Sequence, residues 1–511
     1  MRAKSFSSQQ LVVDPSTLSR SVRNLCRRRS GKVLVLLGIS VPAIFGLIGL
    51  VFDIGLHSID NQNLKQAADA ASTAATLALQ QGKSAAEATA MAQACIQSWN
   101  GLSDATVTVN IPPTSGRHAG NANCLEVIAT RDRNNSFSRV VGAGQQSRVQ
   151  VRSVAAIEAS TAGAAVVVLD PTPPVLNILG LPIGISPLPA LTGGLEIEGL
   201  GQVKVDGAVL VNNTWGTRDE NGDPAGTTTL LPCGVICTAL IPLTHLSARD
   251  IRVAGGVDTP SNYGSFVSGK PNPLRANRMP VPDPYKSLPA PTVSNDPVNV
   301  KSTLKGGVTV LTLPLLGSAT LYPGVYDWIE VISGNVTFKP GVYIIRKKNP
   351  ITNISLSVIA GNITAKGVMF YITDNASYDA SSGLPDSNDG ESAPARAPIL
   401  SLIPSVVIDG LAAFGSKFTG LDSPGSPFDG MWIYQRRKDP RPIVITHQGL
   451  LGAATLQGEI YAKWGHISFI GALSNYDISF TAGTVRFVTV LGMTISPSTL
   501  LAPAKDVYLV E

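Results

Sequence analysis

The side chains of this 511-residue chain that could do chemistry are few, and their spacing decides what they can do. Asp386, Asn388 and Asp389 before Gly390 have the types that open a calcium loop, and Asp219, Glu220 and Asp223 form a second acidic group. A hard cation needs a D-x-[DN]-x-[DN]-G series with a closing Glu, which neither stretch completes, so both read as solvated loops. Cys233 and Cys237 in CGVIC, with His245 downstream, offer zinc three ligands but no fourth. The five histidines, His57, His118, His245, His447 and His466, fall in no H-E-x-x-H pattern, and no G-x-S-x-G or phosphate-cradling glycine loop accompanies them. Asp327 and Glu330 in VYDWIEV would suit glycoside chemistry if adjacent strands aligned them with a partner carboxylate, and they suit edges and turns equally. No residue is therefore nominated as catalytic, cofactor-binding or metal-ligating, no cofactor is expected, and the chain reads as a non-enzyme.

The elements that would carry these residues follow from composition. Charged residues are only 15% of the chain while Gly (49) and Pro (36) are abundant, which favours a turn-rich β protein. The net charge of +5 is unevenly spread. Residues 1–32 hold eight basic side chains against Asp14, or +7, leaving 5 − 7 = −2 for the remainder. A basic excess confined to a terminal tail leaves no footprint for a phosphate backbone, so nucleic acid is not an expected partner.

Val33 to Phe52 is a run of 20 residues without a charge, enough for a helix to cross the ~30 Å hydrocarbon core of a membrane. Pro42 should kink it. Arg27, Arg28, Arg29 and Lys32 precede the run and no basic residue follows until Lys65, so the N-terminus is expected in the cytoplasm and the rest outside it. A cleaved signal has a shorter apolar region ending in an A-x-A-like site, which FDIGLHSID does not supply; retention as an anchor is the reading. Cys26 then stays inside. Of the three pairings open to the outer four cysteines, separation along the chain favours disulfides Cys95–Cys124 and Cys233–Cys237.

Beyond the span, Leu64, Ala67, Ala68, Ala71, Ala74, Ala75 and Ala78 recur at helical spacing, giving one face of small apolar side chains for close packing. Gly82 is a stop, and Ser84 with Glu87 is a capping box opening a second helix through about Trp99. Residues 104–111, 124–130 and 147–159 alternate as half-buried strands, with one helical turn expected at 137–144. From Gly193 onward, short β-branched runs are bounded by Gly, Asn, Asp and Pro. PGVY occurs at 323–326 and 340–343, GVMFY begins 26 residues after Gly341, GNVT (334–337) is echoed by GNIT (361–364), and QGEIY (457–461) and AGTVRF (482–487) come later. Such repeats predict a right-handed parallel β-helix, with an antiparallel β-sandwich or jelly roll as the alternative. The expected organisation is a basic tail (1–32), a transmembrane helix (33–53), a helical stalk with an α+β module (54–160), a linker (161–192) and the β-helix (193–511). Within the last, 271–299 is a Pro-rich strap and 377–398 a mobile loop. The Asn-x-Ser/Thr sequons at Asn134, Asn212, Asn335, Asn353, Asn362 and Asn375 read as turn composition.

The N-terminal stretch resembles the TadE/TadG-like domain of Flp (tight adherence) pilus assembly proteins. The matching residues are Arg28, Arg29, Gly31, Pro42, Asp53, Gly55, Leu64, Ala67, Ala68, Asp69, Ala70 and Ala71, within a strong likeness over 27–80 that weakens toward 160. The distal PGVY and GNVTFKPGVY segments are similar to the β-solenoid region of long TadG-like proteins. Gly31 is followed by KVLVLLG without the Glu of peptidase-cut pilins, and VVVLDPTPP has Asp170 without the Ser-x-Ser of a von Willebrand A-type metal site. The resemblance implies a single-pass bacterial inner-membrane protein, with its bulk periplasmic or extracellular, whose partners are other pilus or secretion subunits and envelope polysaccharide. The alternatives are a surface adhesin or polysaccharide-binding protein on the same anchor, and a carbohydrate-active lyase or hydrolase.

Overall fold

The computed structural model describes residues 30–137, 139, 145–160, 162–173, 175–178, 192–227, 232–237, 244–292, 304–312, 317–388, 392–394, 399–409, 415–447 and 455–511. Arg27, Arg28 and Arg29 and most of the turn expected at 137–144 lie outside the described residues. The chain forms two units: residues up to Ile157 together with Val507–Glu511, and Glu158–Asp506.

In the first unit one helix, α1 (Ser30–Gln80), runs 51 residues with Lys32 in its first turn and Pro42 inside it, a length of about 77 Å at 1.5 Å per residue. Its two halves differ chemically. Through Ile59 almost all the large apolar side chains are exposed, with Leu34 at 74% and Phe45 at 67%, while Leu50 and Leu56 are half-buried. From Asp60 onward a stripe of Leu64, Ala67, Ala68, Ala71, Ala75 and Ala78 is buried. Ala74 is only half-buried, and Ser72 and Thr76 occupy the packed face instead. The helix stops as Gly82 (φ +82°) turns the chain, with Gly82 N donating to Leu79 O and Lys83 N to Ala78 O. Ser84 and Glu87 form the expected capping box on α2 (Ala85–Ala94), which widens into a π turn at Cys95–Trp99.

The helices face an antiparallel sheet ordered Thr106–Asn110, Cys124–Asn134, Gln146–Ala159 and Lys505–Leu509. Alternation sorts the Cys124–Asn134 strand cleanly: Leu125, Val127 and Ala129 pack with the α1 stripe, while Cys124 shares a cluster with Val154 and Ala156. Between the third and fourth strands of this sheet the chain makes the whole second unit.

The second unit is mostly strand, and its named strand pairings are parallel apart from the two-residue ladder of Thr217–Arg218 with Pro224–Ala225. The antiparallel sandwich expected as the alternative is not what these registers describe. Successive strands fall into three columns. Ile329–Ser333, Leu356–Val358, Val406–Ile408 and Ile443–His447 pair in series. Asn335–Phe338, Asn362–Ala365 and Lys417–Thr419 make the second column. Gly341–Ile345, Val368–Ile372 and Met431–Gln435 make the third. Thr455–Ala472 then pairs with all three columns. Inward residues stack: Phe338, Tyr343 and Phe370 have ring centroids 5.4–5.5 Å apart. Glycine is required where the chain turns between strands, since a Cβ on Gly361 (φ +118°) would lie 2.1 Å from Gly334 O.

The chain does not enter this ladder at an end. Gly193–Val211 pairs with Asn475–Val490, and the layer between them holds Ala164–Val168 beside Met493–Ile495. Residues 164–168 are thus a buried strand rather than the expected linker, because five consecutive apolar residues are covered on both sides. From Gly193–Val211 the ladder extends to Thr244–Val253 and its neighbours. The chain then returns through the Pro-rich segment to begin the opposite end at Val308–Leu311. Of the strap expected at 271–299, residues 293–299 lie outside the described residues, and the described part touches successive layers in order. Val281 exchanges hydrogen bonds with Asn212 (2.7 and 2.8 Å), Asp283 accepts from Tyr461 (2.9 Å), carbonyls of Tyr285 and Leu288 accept from Arg437 (2.6 and 2.7 Å), and Pro291 O accepts from Tyr378. Leu288 and Ala290 share its apolar cover with Tyr371, Tyr434 and Tyr461.

The loop expected to be mobile at 377–398 is packed where it is described. Tyr378 and Asp386 are buried, and Asp386 accepts from Tyr371 at 2.5 Å and faces Arg436 at 3.1 Å. A polar sequence is held here because its carboxylate satisfies a buried tyrosine and arginine.

Candidate functional site

The exposed apolar half of α1 ends in a collar of charge. Asp53 accepts from Phe137 N at 2.9 Å, and Phe137 lies against Gly49, where a Cβ would come within 2.5 Å of it. Asp60 is buried and pairs with Arg131 at 3.4 Å and with Arg133, and Arg131 also holds Asp104 at 2.7 Å. Ser72 and Ser153 hydroxyls meet at 2.9 Å within the packed stripe. On the far face of the sheet Glu126 is buried among Arg152, Asn110, Thr114 and Ser115. Burial opposes its ionisation, but the hydrogen bonds from Arg152, Asn110 and Thr114 outweigh it and hold the carboxyl at about 2.

Neither expected disulfide is formed: Cys95, Cys124, Cys233 and Cys237 are free and buried. Cys95 packs on the helix side of the sheet while Cys124 points from the other face. Cys233 begins the extended strand Cys233–Ile236, so Cys237 lies about 13 Å away by the rise of a strand, beyond disulfide reach. Burial pushes the Cys233 thiol up to about 11. His245 is exposed, apart from these buried thiols.

Asp389 lies outside the described residues, and the other acidic residues noticed in the sequence have partners within the fold. Glu330 accepts from Thr309 (3.0 Å) and Asn349 (2.9 Å), and Asp327 faces Lys347 at 3.2 Å. Asp219 accepts from Asn221 N and Asp223 N within a turn, and Glu220 accepts from Ala276 N. Asp170 closes its own turn through Thr172 N at 3.1 Å. His447 and His466 are buried, donating or accepting at Tyr476 and Thr484, and burial pushes both rings below the usual histidine range. Arg486 is buried between Glu196 (2.5 Å) and Glu198 (3.4 Å).

The residues that a reading of the sequence missed line a cleft of about 300 Å³ on the outward face of the ladder. Asp422, Asp429, Glu459 and Asp477 surround it with Gln457 and Ser479, drawn from three stretches of chain that parallel pairing brings together. Its floor is backbone: a Cβ on Gly420 would sit 2.1 Å from Gly430 O, and one on Gly458 (φ +130°) 2.8 Å from the same atom. Tyr285 of the strap donates to Glu459. Burial raises the Glu459 carboxyl above its ordinary value, the tyrosine hydrogen bond pulls it down, and the charge of Asp429 pushes it up again. The signal available in the sequence was adjacency of glycine and acid, in TGLD, DGMW and QGEI.

Among the described residues no three His, Cys, Asp or Glu side chains are placed to hold a metal ion. One described helix is long and apolar enough to cross a membrane. No protein-family model, curated protein or solved structure matches the chain.

Proposed function

We propose that the chain is a membrane-anchored extracytoplasmic structural protein, a component or accessory of a Flp (Tad) pilus or related secretion apparatus. The observation that carries this reading is the division of α1. One unbroken helix exposes almost every large apolar side chain up to Ile59 and then buries a small-residue stripe from Leu64 onward. Exposed leucines and phenylalanines on this scale suit lipid or the small-residue faces of partner helices, not water. The flanking charges orient the span with Arg27, Arg28, Arg29 and Lys32 inside the cytoplasm. The three parallel columns support a right-handed parallel β-helix for the body, which presents a long, regular surface to neighbouring subunits.

Crosslinking in intact bacterial cells, followed by pull-down of the full chain in detergent, tests the assembly role. Recovery of secretion or pilin subunits of the same apparatus, lost when Leu36, Ile39 and Phe45 are each changed to Ser, is the expected outcome. Recovery of the chain alone from both would contradict it. A second reading, a ligand-binding body carried on the same anchor, is favoured by one observation, the carboxylate cleft.

A further inference from the structure

We propose that the cleft binds a primary ammonium group, with its carboxylates as counter-charges and the Ser479 hydroxyl as an added acceptor. This deepens the second reading above and does not depend on the anchor or on any pilus.

The charge selects the class of ligand. Asp422, Asp429, Glu459 and Asp477 line the cleft, and among the described residues no basic side chain does. An anion entering among these carboxylates would be repelled and a cation attracted. Uronates, phosphates and nucleic acid are excluded on that ground.

A second observation is independent of the acids. Ser479 is only 2% exposed and lines the cleft. It stands opposite Glu459 in register, with Ile478 and Phe480 on either side pointing into the core, so its side chain projects outward on the Glu459 face. Among the described residues its hydroxyl has no hydrogen-bond partner. The hydroxyl of this otherwise buried residue is open to the cleft, where an entering N–H donor would meet it.

Shape and lining narrow the class. Close backbone approach leaves no room for side chains at Gly420 and Gly458, and about 300 Å³ suits a head group rather than a large ligand. Among the described residues no aromatic side chain lines the cleft, so they supply neither the cage that holds a quaternary ammonium nor the ring platform usual for a sugar. The acids do not converge tightly enough for a metal ion among the described residues. Several spread acceptors match the three N–H donors of an ammonium group.

Two sources carry that chemistry, a free amine and a lysine side chain of a polypeptide. Calorimetric titration of the full chain in detergent with cadaverine and with N-acetyl-lysine methylamide distinguishes them, because the tighter probe names the source. At low ionic strength at least one should bind. Asp422→Asn with Asp477→Asn should weaken it about tenfold or more, and Ser479→Ala a few-fold, with the thermal midpoint unchanged. Tetramethylammonium should bind more weakly than either. If the double variant fails to fold, Ser479→Ala alone decides. No binding of either amine, unchanged affinity in the folded variants, or equal binding of galacturonate or glucose would overturn the assignment.

Discussion

Arg437 should be the rivet that holds the strap to the ladder. Its side chain is buried, its Nη2 donates to Tyr285 O at 2.6 Å, Leu288 O at 2.7 Å and Lys286 O at 3.1 Å, and its Nε donates to Tyr461 at 3.2 Å. Two short charge-assisted bonds at about 1.5–3 kcal/mol each give roughly 3–6 kcal/mol gross. Arg437→Met keeps most of the packing and removes the cost of desolvating a cation, so the expected loss is about 3 kcal/mol, the low end of that range. This corresponds to about a 150-fold rise in the opening equilibrium of the strap. Hydrogen exchange on the full chain reads it at Val281 and Leu288, whose amides bond to Asn212 Oδ1 and Tyr285 O. The ladder amides of Val336 and Ile363 serve as control. Arg437→Lys should fall between, because a single ammonium nitrogen can meet the strap carbonyls but cannot donate to Tyr461 at the same time, as Nε and Nη2 of the guanidinium do. Strap protection changed by less than about threefold, or strap and ladder losing protection equally, would refute the reasoning.

Three further outcomes follow from packing and charge. Because Glu126 titrates at about 2 when folded against an ordinary 4.5, its stabilisation is complete above about pH 4.5 and is lost as pH falls toward 2. Glu126→Gln should therefore flatten the acid limb of exchange protection in Cys124–Asn134, by up to about 3 kcal/mol. His447 and His466 are pushed down by burial, so the unfolded chain binds protons first as pH drops through about 6.5 and stability falls there by up to about 1.4 kcal/mol per pH unit for each. His466→Gln should remove its share from urea midpoints compared at pH 7 and pH 5. Ala68→Leu should cost about 1–3 kcal/mol by overpacking a fully buried position, read as lost exchange protection in α1 beyond Asp60.

How much was legible in the sequence depended on whether the signal was local. The capping box of Ser84 and Glu87, the Gly82 stop and the small-residue stripe of α1 are short-range patterns; the box and the stop form, and the stripe is buried except at Ala74, with Ser72 and Thr76 on the packed face instead. The GNVT and GNIT repeats also stack residue for residue, Asn335 on Asn362 and Val336 on Ile363. The aromatic repeat misleads by one. GVMFY begins 26 residues after Gly341, yet the register is 27, placing Tyr343 on Phe370. A slip of one residue would turn Tyr343 outward, so core packing overrides the motif.

What could not be read is long-range. Nothing local tells that Gly193–Val211 lies against Asn475–Val490, or that 164–168 is a strand shared between the two ends of the body. Sequence separation likewise favoured cysteine pairs that strand alternation and strand rise keep apart. The cleft is of the same kind, since Asp422, Glu459 and Asp477 become neighbours only through parallel stacking.

The central claim is that α1 anchors the chain with its body outside the cytoplasm. Its most direct test is proteolysis of full-length protein tagged at both ends, in spheroplasts and in inverted membrane vesicles, after alkaline carbonate washing. The account predicts a chain that stays with the membrane, a C-terminal tag cut only in spheroplasts, and an N-terminal tag cut only in inverted vesicles. A chain released by carbonate, or a C-terminal tag cut from the cytoplasmic side, would contradict it.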